Sequence, residues 1–316
     1  MNIITAGPQR VTERPRSRTQ SVLALARVES GRMLRHPAFL VGLAASVASV
    51  LIRPGAEEWG GQGHYGASTA WTFVWMGTLV GAALCAGRQR LVADPDLFPA
   101  TPLTPADRVM GTALALLGPA LATAAAVAVA ALLNARAGGF TLGDEGYTRS
   151  FNSGFIELAQ PVLLTVLAGV VGITVAQVRR ARLAALLIAV MVVFFGGTVI
   201  WAFQAHPVRV LHPFMYPTYE QRLPDTFNPG GWEADDAPLL PPDEWTSFWR
   251  EVRFDTPALG WHLVYVGGLI LLGVWLAART ADRGEHADRI RWLLYAGLPL
   301  LLVGGVTQVL TAGTNP

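Results

Sequence analysis

The stretch VMGTALALLGPALATAAAVAVAALL, residues 109–133, contains no charged side chain. A helix of about 20 apolar residues crosses the roughly 30 Å hydrocarbon core of a bilayer, so this stretch is long enough to span a membrane. A single Asp, Glu or Arg at the centre of such a span would cost at least about 2.5 kcal/mol. The stretch therefore predicts a membrane-spanning helix.

Six further uncharged apolar runs lie along the chain. They cover residues 37–52, 68–86, 158–178, 183–203, 258–278 and 292–312. We expect an all-α, polytopic transmembrane helix bundle with six core spans within 37–278 and an extra seventh span over 292–312, in the C-terminal part 279–316. Six spans are the alternative, because the first run is the shortest and could be half of a buried pair. The composition, 52% hydrophobic and 15% charged, excludes an ordinary soluble domain.

Arginine is unequally distributed between the segments that connect these runs. If the N-terminus lies inside, the inner segments hold 17 Arg and 8 acidic residues, and the outer segments hold 7 Arg and 14 acidic residues. An excess of basic residues marks the cytoplasmic side of a membrane protein. We therefore expect a multi-pass protein with a cytoplasmic N-terminus, whose residues 1–20 form a disordered arm that touches anionic lipid headgroups.

Lysine is absent from the chain and cysteine occurs once, and each of these facts excludes a type of functional site. All 24 basic residues are arginine, so the chain cannot contain the lysine of a phosphate-binding loop or a Schiff-base lysine. The single cysteine, Cys85, excludes an internal disulfide and a cysteine-based zinc cluster. No pair of histidines has the i, i+4 spacing of a helical metal site. We expect no catalytic residue, cofactor or metal in this chain, and no nucleic-acid partner.

Residues 21–36 have the pattern of a helix that lies in the membrane interface. Apolar side chains cover one arc of a helical wheel, and Arg27, Arg32 and Arg35 cover the other. Glu29 intrudes on the apolar arc three residues before Arg32, and we expect the two to pair. Pro37 then ends this helix and starts the first span.

The inner connection, residues 87–108, carries apolar side chains between proline-fixed turns. These side chains are Leu97, Phe98 and Leu103. Thr104 is a good N-cap, with Pro105 at the first helical position and Asp107 at the third, so a helix is predicted to start here. Two interpretations remain: a tight connector, or a docking surface for a soluble partner, which the resemblance described below favours.

Several positions within the spans stand out from their apolar surroundings. Gly118-Pro119 and Gln160-Pro161 each free a backbone carbonyl, so these two spans are expected to bend or break. A broken helix is tolerated where it faces protein or a water-filled path, which leaves an ordinary kink and a pathway role as alternatives. His262 lies inside the sixth span near its outer end, either as a functional group or as a hydrogen-bonded interfacial histidine.

Small residues in the second span indicate close helix packing. Gly77 and Gly81 are four residues apart, a step that allows two helices to approach. We expect packing within the chain rather than dimerisation through this step.

The largest outer segment, residues 204–257, is predicted to contain short helices. Trp245, Phe248, Trp249 and Val252 follow the i, i+3, i+4, i+7 spacing after the polar pair Asp243-Glu244. This pattern predicts a Trp-rich helix on the outer membrane face.

The order of these parts resembles the membrane subunit of type-2 ATP-binding-cassette exporters, in the form common in actinobacteria. Residues 26–37 (ARVESGRMLRHP) look like the interfacial elbow helix of that family. Residues 96–108 (DLFPATPLTPADR), followed by Gly118-Pro119, are similar to the loop on which the ATPase subunit docks. The likeness reaches residue 278, and the seventh run departs from the usual six spans.

The resemblance implies a permease subunit in a bacterial cytoplasmic membrane. Two permease subunits, identical or related, would pair with two cytoplasmic ATPases, and this chain would supply no ATP site. Its coupling residues would be Leu97, Phe98, Leu103, Asp107 and Arg108. Two other classes stay open: a non-transporting membrane anchor, regulator or self-protection protein, and an integral-membrane enzyme acting on lipids.

Overall fold

Helices form most of the part of the chain that the computed structural model describes. The described residues are 17–52, 70–91, 103–136, 140–142, 149–151, 154–177, 183, 186–191, 211–214, 218–222, 250–254, 256–282 and 287–311. The longer helices are α1 (Arg18–Leu34), α2 (Pro37–Ile52), α3 (Thr72–Leu91), α4 (Pro105–Ala115), α5 (Leu117–Arg136), α6 (Phe155–Ala176), α7 (Thr256–Ala281) and α8 (Arg291–Thr311). A 3₁₀ turn, Ala287–Ile290, precedes α8.

Four helical stretches are long and apolar enough to cross a membrane. They are Pro105–Leu133, Phe155–Ala176, Pro257–Ala281 and Arg291–Thr311. α1 and α2 together form a fifth candidate, although the two are bent by 58° with respect to each other. These apolar helices are compatible with a multi-pass membrane protein.

The described residues therefore contain four or five candidate spans, where the sequence predicts seven. The apolar part of α3, Thr72–Arg88, is shorter than the length expected of a span. Of the predicted span 183–203, only residues 183 and 186–191 are described, and they are helical.

The predicted seventh run forms α8, which packs antiparallel against α7. A Cβ at Gly268 would lie 2.5 Å from the Leu301 amide nitrogen, and one at Gly304 would overlap the Tyr265 backbone. Gly297 faces the side chains of Leu271 and Leu272. Glycines at these positions let the two backbones approach as closely as small residues permit in membrane helix pairs. The C-terminal helix is therefore an integral part of the bundle.

Buried apolar residues form two clusters, which define two ends of the bundle. At the first, which we call the elbow end, Met33 of α1 packs with Cys85, Ala106, Ala278 and Leu293. At the second, the far end, α2, α3, α5, α6 and α7 contribute Phe39, Trp75, Val127, Leu164 and Leu259. α1 and α4 thus form a layer that covers the elbow end.

Two short antiparallel strand pairs lie in the connections between helices. β1 (Phe140–Leu142) pairs with β2 (Arg149–Phe151), and β3 (Thr218–Arg222) pairs with β4 (Arg250–Phe254). The helix predicted in the segment 204–257 lies largely outside the described residues, but its last position, Val252, lies in β4 opposite Glu220. The prediction is wrong at that position, because residues 250–254 (REVRF) alternate with the period of a strand.

Candidate functional site

The first turn of α1 is fixed by a capping box. The Ser17 hydroxyl accepts a hydrogen bond from the Gln20 amide (3.3 Å), and the Ser17 amide donates to Gln20 Oε1 (3.1 Å). The helix begins at Arg18, so the prediction of a disordered arm over residues 1–20 is wrong for its last residues. Residues 1–16 lie outside the described part. The spacing Ser-x-x-Gln was the sequence signal for this start.

The first turn of α4 has the same kind of cap, in the place that the sequence predicts. Thr104 Oγ1 accepts from the Asp107 amide (3.1 Å), and the Thr104 amide donates to Asp107 Oδ2 (3.1 Å), with Pro105 at the first helical position. The predicted N-cap is confirmed. It holds the Asp107 carboxylate beside the helix N-terminus, where a negative charge is favoured.

An ion pair joins these two helix starts. Arg18 Nε lies 2.8 Å and 3.0 Å from the two carboxylate oxygens of Asp107, and Arg18 Nη2 also donates to Oδ1. The Asp107 side chain is 5% exposed and that of Arg18 is 46% exposed. Charge-assisted pairs with more than one hydrogen bond fix geometry as well as energy. The pair therefore sets the position of α1 along α4.

Three of the five predicted coupling residues lie at or beside this ion pair. Leu103 and Arg108 are half-buried on either side of the cap. Asp107 is engaged within the chain, so any part it plays in coupling passes through α1 rather than through its own exposed surface. Leu97 and Phe98 lie outside the described residues. Arg18 was missed, because no local pattern connects it to a residue 89 positions away.

α1 lies parallel to α4 and also contacts the start of α5. Gly111 of α4 faces Leu25, and a Cβ at Gly118 would overlap the Ser30 hydroxyl. The helix is interrupted at Leu116, whose amide bonds to the Ala113 carbonyl (3.1 Å). The interruption is one residue long, and Pro105–Leu133 together form a single candidate span, so the bend or break expected at Gly118-Pro119 stays a prediction. Gly118 itself packs against α1.

Glu29 is buried on the same helix, facing the elbow end. Its Oε1 lies 2.7 Å from Arg32 Nη1, and the Glu29 side chain is 2% exposed while that of Arg32 is 63% exposed. The predicted pairing is confirmed. The exposed guanidinium compensates a carboxylate that would otherwise be costly to bury.

Pro161 does not break its helix, which leaves a bend as the remaining part of the prediction for Gln160-Pro161. α6 continues from Phe155 to Ala176 through the proline. The Pro161 carbonyl accepts from Trp75 Nε1 (3.1 Å) and from Thr165 Oγ1 (2.8 Å), and Gln160 is fully buried. The bond that a proline removes is the one to the carbonyl four residues earlier, so the bonds to the Pro161 carbonyl do not replace it. Packing against α3, including the bond from Trp75, supports the helix here.

His262 is fully buried and bonded through both ring nitrogens. Nδ1 lies 2.9 Å from Gln308 Oε1 of α8, and Nε2 lies 3.2 Å from the Pro213 carbonyl oxygen. Of the two interpretations, the hydrogen-bonded histidine agrees with this geometry. Gln308 and Pro213 were not identified from the sequence.

His212 precedes this proline and is 8% exposed. Its Nδ1 accepts from the Phe214 amide (3.3 Å). Burial lowers the pKa of His212 from 6.5 to about 4, so the ring is neutral near pH 7. Among the described residues, no group of three or more His, Cys, Asp and Glu side chains could hold a metal ion.

No protein-family model matches this chain, and no curated protein matches it. The residues and their geometry therefore carry the functional proposal.

Proposed function

We propose that this chain is the membrane-spanning permease subunit of an ATP-driven exporter of the ATP-binding-cassette class. The observation that carries the proposal is the Arg18–Asp107 ion pair, which fastens the amphipathic helix α1 to the first turn of a helix that leads into a span. In this proposal the elbow end faces the cytoplasm of a bacterial cell and the far end faces outward, in agreement with the arginine distribution.

The length of α4 and α5 supports this arrangement. α5 alone has 20 residues, about 30 Å, which matches the hydrocarbon core. The 11 residues of α4 then extend the helix beyond the core at the elbow end. The turn that carries Leu103, Asp107 and Arg108 would be accessible to a soluble partner there.

ATP would be bound and hydrolysed by a separate chain, because a sequence without lysine has no Walker A motif. The ATPase would contact the segment with Leu97, Phe98, Leu103 and Arg108. Asp107 would act as a positioning residue, because its bonds to Arg18 make α1 and α4 move together. A displacement of the first turn of α4 by the ATPase would therefore also displace α1 and the start of α5. A second permease subunit would complete the transporter.

The absence of charge from the apolar runs supports ATP as the energy source. Carriers driven by protons or sodium ions place titratable or ion-binding groups near the membrane centre. None of the seven runs contains Asp, Glu, Arg or Lys.

Co-purification from native membranes with the ATPase encoded beside this chain tests the proposal. The doubly substituted chain Phe98→Asp, Leu103→Asp should lose the ATPase, because two acidic groups replace the apolar contacts. The matched control is Phe98→Leu, Leu103→Met, which keeps the apolar surface and should retain the ATPase. Purification without any ATPase would favour the non-transporting membrane anchor, and retention by the acidic variant would remove the docking assignment.

A further inference from the structure

A four-residue turn, Leu211–Phe214, lies at the far end and is held by two side chains of α7. The Tyr265 hydroxyl donates to the Leu211 carbonyl (3.0 Å), and His262 Nε2 lies 3.2 Å from the Pro213 carbonyl. His262 and Tyr265 are three residues apart and therefore lie on one face of the helix. One helix face thus binds two carbonyls of the same turn.

The turn also contacts α8 and α3. The Leu211 side chain would lie 3.6 Å from a Cβ at Gly305, and the Phe214 ring lies 5.7 Å from the Trp75 ring of α3. His262 extends the connection to α8 through Gln308. The turn therefore links α7 and α8, which are consecutive in the sequence, to α3, which is distant from both.

The hydrogen bonds of His262 determine how Gln308 is oriented. Both ring nitrogens face oxygen atoms, yet a neutral imidazole donates only one hydrogen bond. Exchanging the amide oxygen and nitrogen of Gln308, which have the same shape, makes Nε2 of Gln308 the donor to Nδ1 and leaves the ring to donate to Pro213. In either orientation one polar atom of Gln308 has no partner among the described residues.

A second buried polar atom at this place has no partner. Nε2 of His212 is buried without a hydrogen bond within the described part of the chain. A buried polar group without a partner destabilises the closed arrangement, and it regains hydrogen bonds when water reaches it. Contact with water therefore lowers the cost of separating this turn from the helices.

We infer that the turn Leu211–Phe214 is a latch. It holds the far ends of α3, α7 and α8 together in the closed bundle, and it separates from the Tyr265 and His262 side chains when the bundle opens at that end. The inference rests on the proposed function, in which the far end is the side where cargo leaves. The α7–α8 bond between His262 and Gln308 stays intact in both states, and only the bonds to the turn are exchanged for water.

Thiol alkylation tests the latch in the complex with its ATPase. The variant His212→Cys, at a position that is buried in the closed arrangement, is made in a Cys85→Ala background, so that it carries a single thiol, and is treated with N-ethylmaleimide. A non-hydrolysable ATP analogue should raise the alkylation rate several-fold as the turn is released. An alkylation rate that does not change with the analogue overturns the latch.

A disulfide tests whether release of the turn is needed for turnover. Leu211→Cys combined with Gly305→Cys should cross-link on oxidation and lower the ATP turnover of the complex in liposomes several-fold, and reduction should restore it. Each single variant serves as the control. Full turnover by the oxidised double variant would overturn the latch.

Removal of the Tyr265 hydroxyl tests the contacts between α7 and the turn in the absence of nucleotide. Tyr265→Phe keeps the ring and removes only the bond to Leu211. Alkylation of the His212→Cys thiol should therefore be several-fold faster than in the matched Tyr295→Phe control on the exposed face of α8. Equal rates overturn the latch. Absence of a co-purifying ATPase would instead contradict the proposed exporter function, and with it the release of the turn by ATP. The comparison of Tyr265→Phe with Tyr295→Phe would still decide whether α7 holds the turn.

Discussion

The two partners of the Arg18–Asp107 pair differ in their access to water, which could hydrate either group if its partner were removed. The Arg18 guanidinium is about half exposed and can be hydrated, whereas the Asp107 carboxylate is almost fully buried. Loss of the arginine therefore leaves a buried carboxylate with only its cap, and removal of one partner of such a pair is costly.

We expect Arg18→Gln to lower the free energy of unfolding by roughly 1–3 kcal/mol, the cost of leaving a buried polar group without its partner. The control Arg27→Gln, which removes the same charge from the exposed face of α1, should change it by less than about 0.5 kcal/mol. Unfolding in detergent micelles measures both. Adding Asp107→Asn to Arg18→Gln should restore part of the lost stability. Equal stability of the Arg18→Gln and Arg27→Gln proteins would contradict this reasoning.

His212 makes stability depend on pH in a defined window. Its pKa is 6.5 when exposed and about 4 in the folded protein, so the unfolded chain binds more protons between these values. Stability should therefore fall as the pH is lowered from about 6.5 towards 4. Thermal unfolding between pH 7 and pH 4.5 should show a smaller loss for His212→Asn, which has no group that titrates in this window. Parallel curves for the two proteins would argue against a buried neutral ring.

At the scale of elements, the glycines of α3 differ in what they touch. A Cβ at Gly77 would overlap the Ala38 carbonyl oxygen of α2, whereas one at Gly81 would lie 3.5 Å from the His36 ring, an ordinary contact. The close packing expected for this step is thus made within the chain at Gly77, against α2.

Gly77→Ala should therefore destabilise the protein by about 1–3 kcal/mol, because backbone atoms of two helices would have to separate. Gly81→Ala should be neutral or stabilising by up to about 1 kcal/mol, since alanine favours the helix. Melting temperatures in the same detergent give the comparison. A larger loss for Gly81→Ala would mean that α2 and α3 pack in another way.

Local signals predicted the helical character of the bundle and the start of α4, but they did not predict the long-range contacts. The start of α4, with Thr104 as cap and Pro105 at the first position, depends on neighbours within one turn, so the sequence spacing is sufficient to predict it. The Arg18–Asp107 and His262–Gln308 contacts join residues 89 and 46 positions apart, and no periodic pattern encodes such a pairing. No local signal at Pro161 shows that its helix continues, because the Trp75 bond that supports it joins residues 86 positions apart.

At the scale of the whole molecule, α8 is the partner of α7 rather than an appendage. It covers Gly268 and supplies Gln308 to His262. Deletion of residues 287–316 would leave a buried histidine without one partner and a glycine-lined helix face without its packing. We expect this truncation to aggregate on gel filtration in detergent, whereas deletion of residues 312–316 should leave a monodisperse protein. A monodisperse longer truncation would show that the rest of the bundle is independent of α8.

The separation of Arg18 from Asp107 also sets an order of events during biosynthesis. At roughly 5–20 residues per second, about 4 to 18 seconds pass between synthesis of the arginine and synthesis of its partner 89 residues later. α1 must leave the ribosome, with α2 and α3 behind it, before α4 exists. α1 is therefore fastened to its partner only when the third apolar run has begun to emerge.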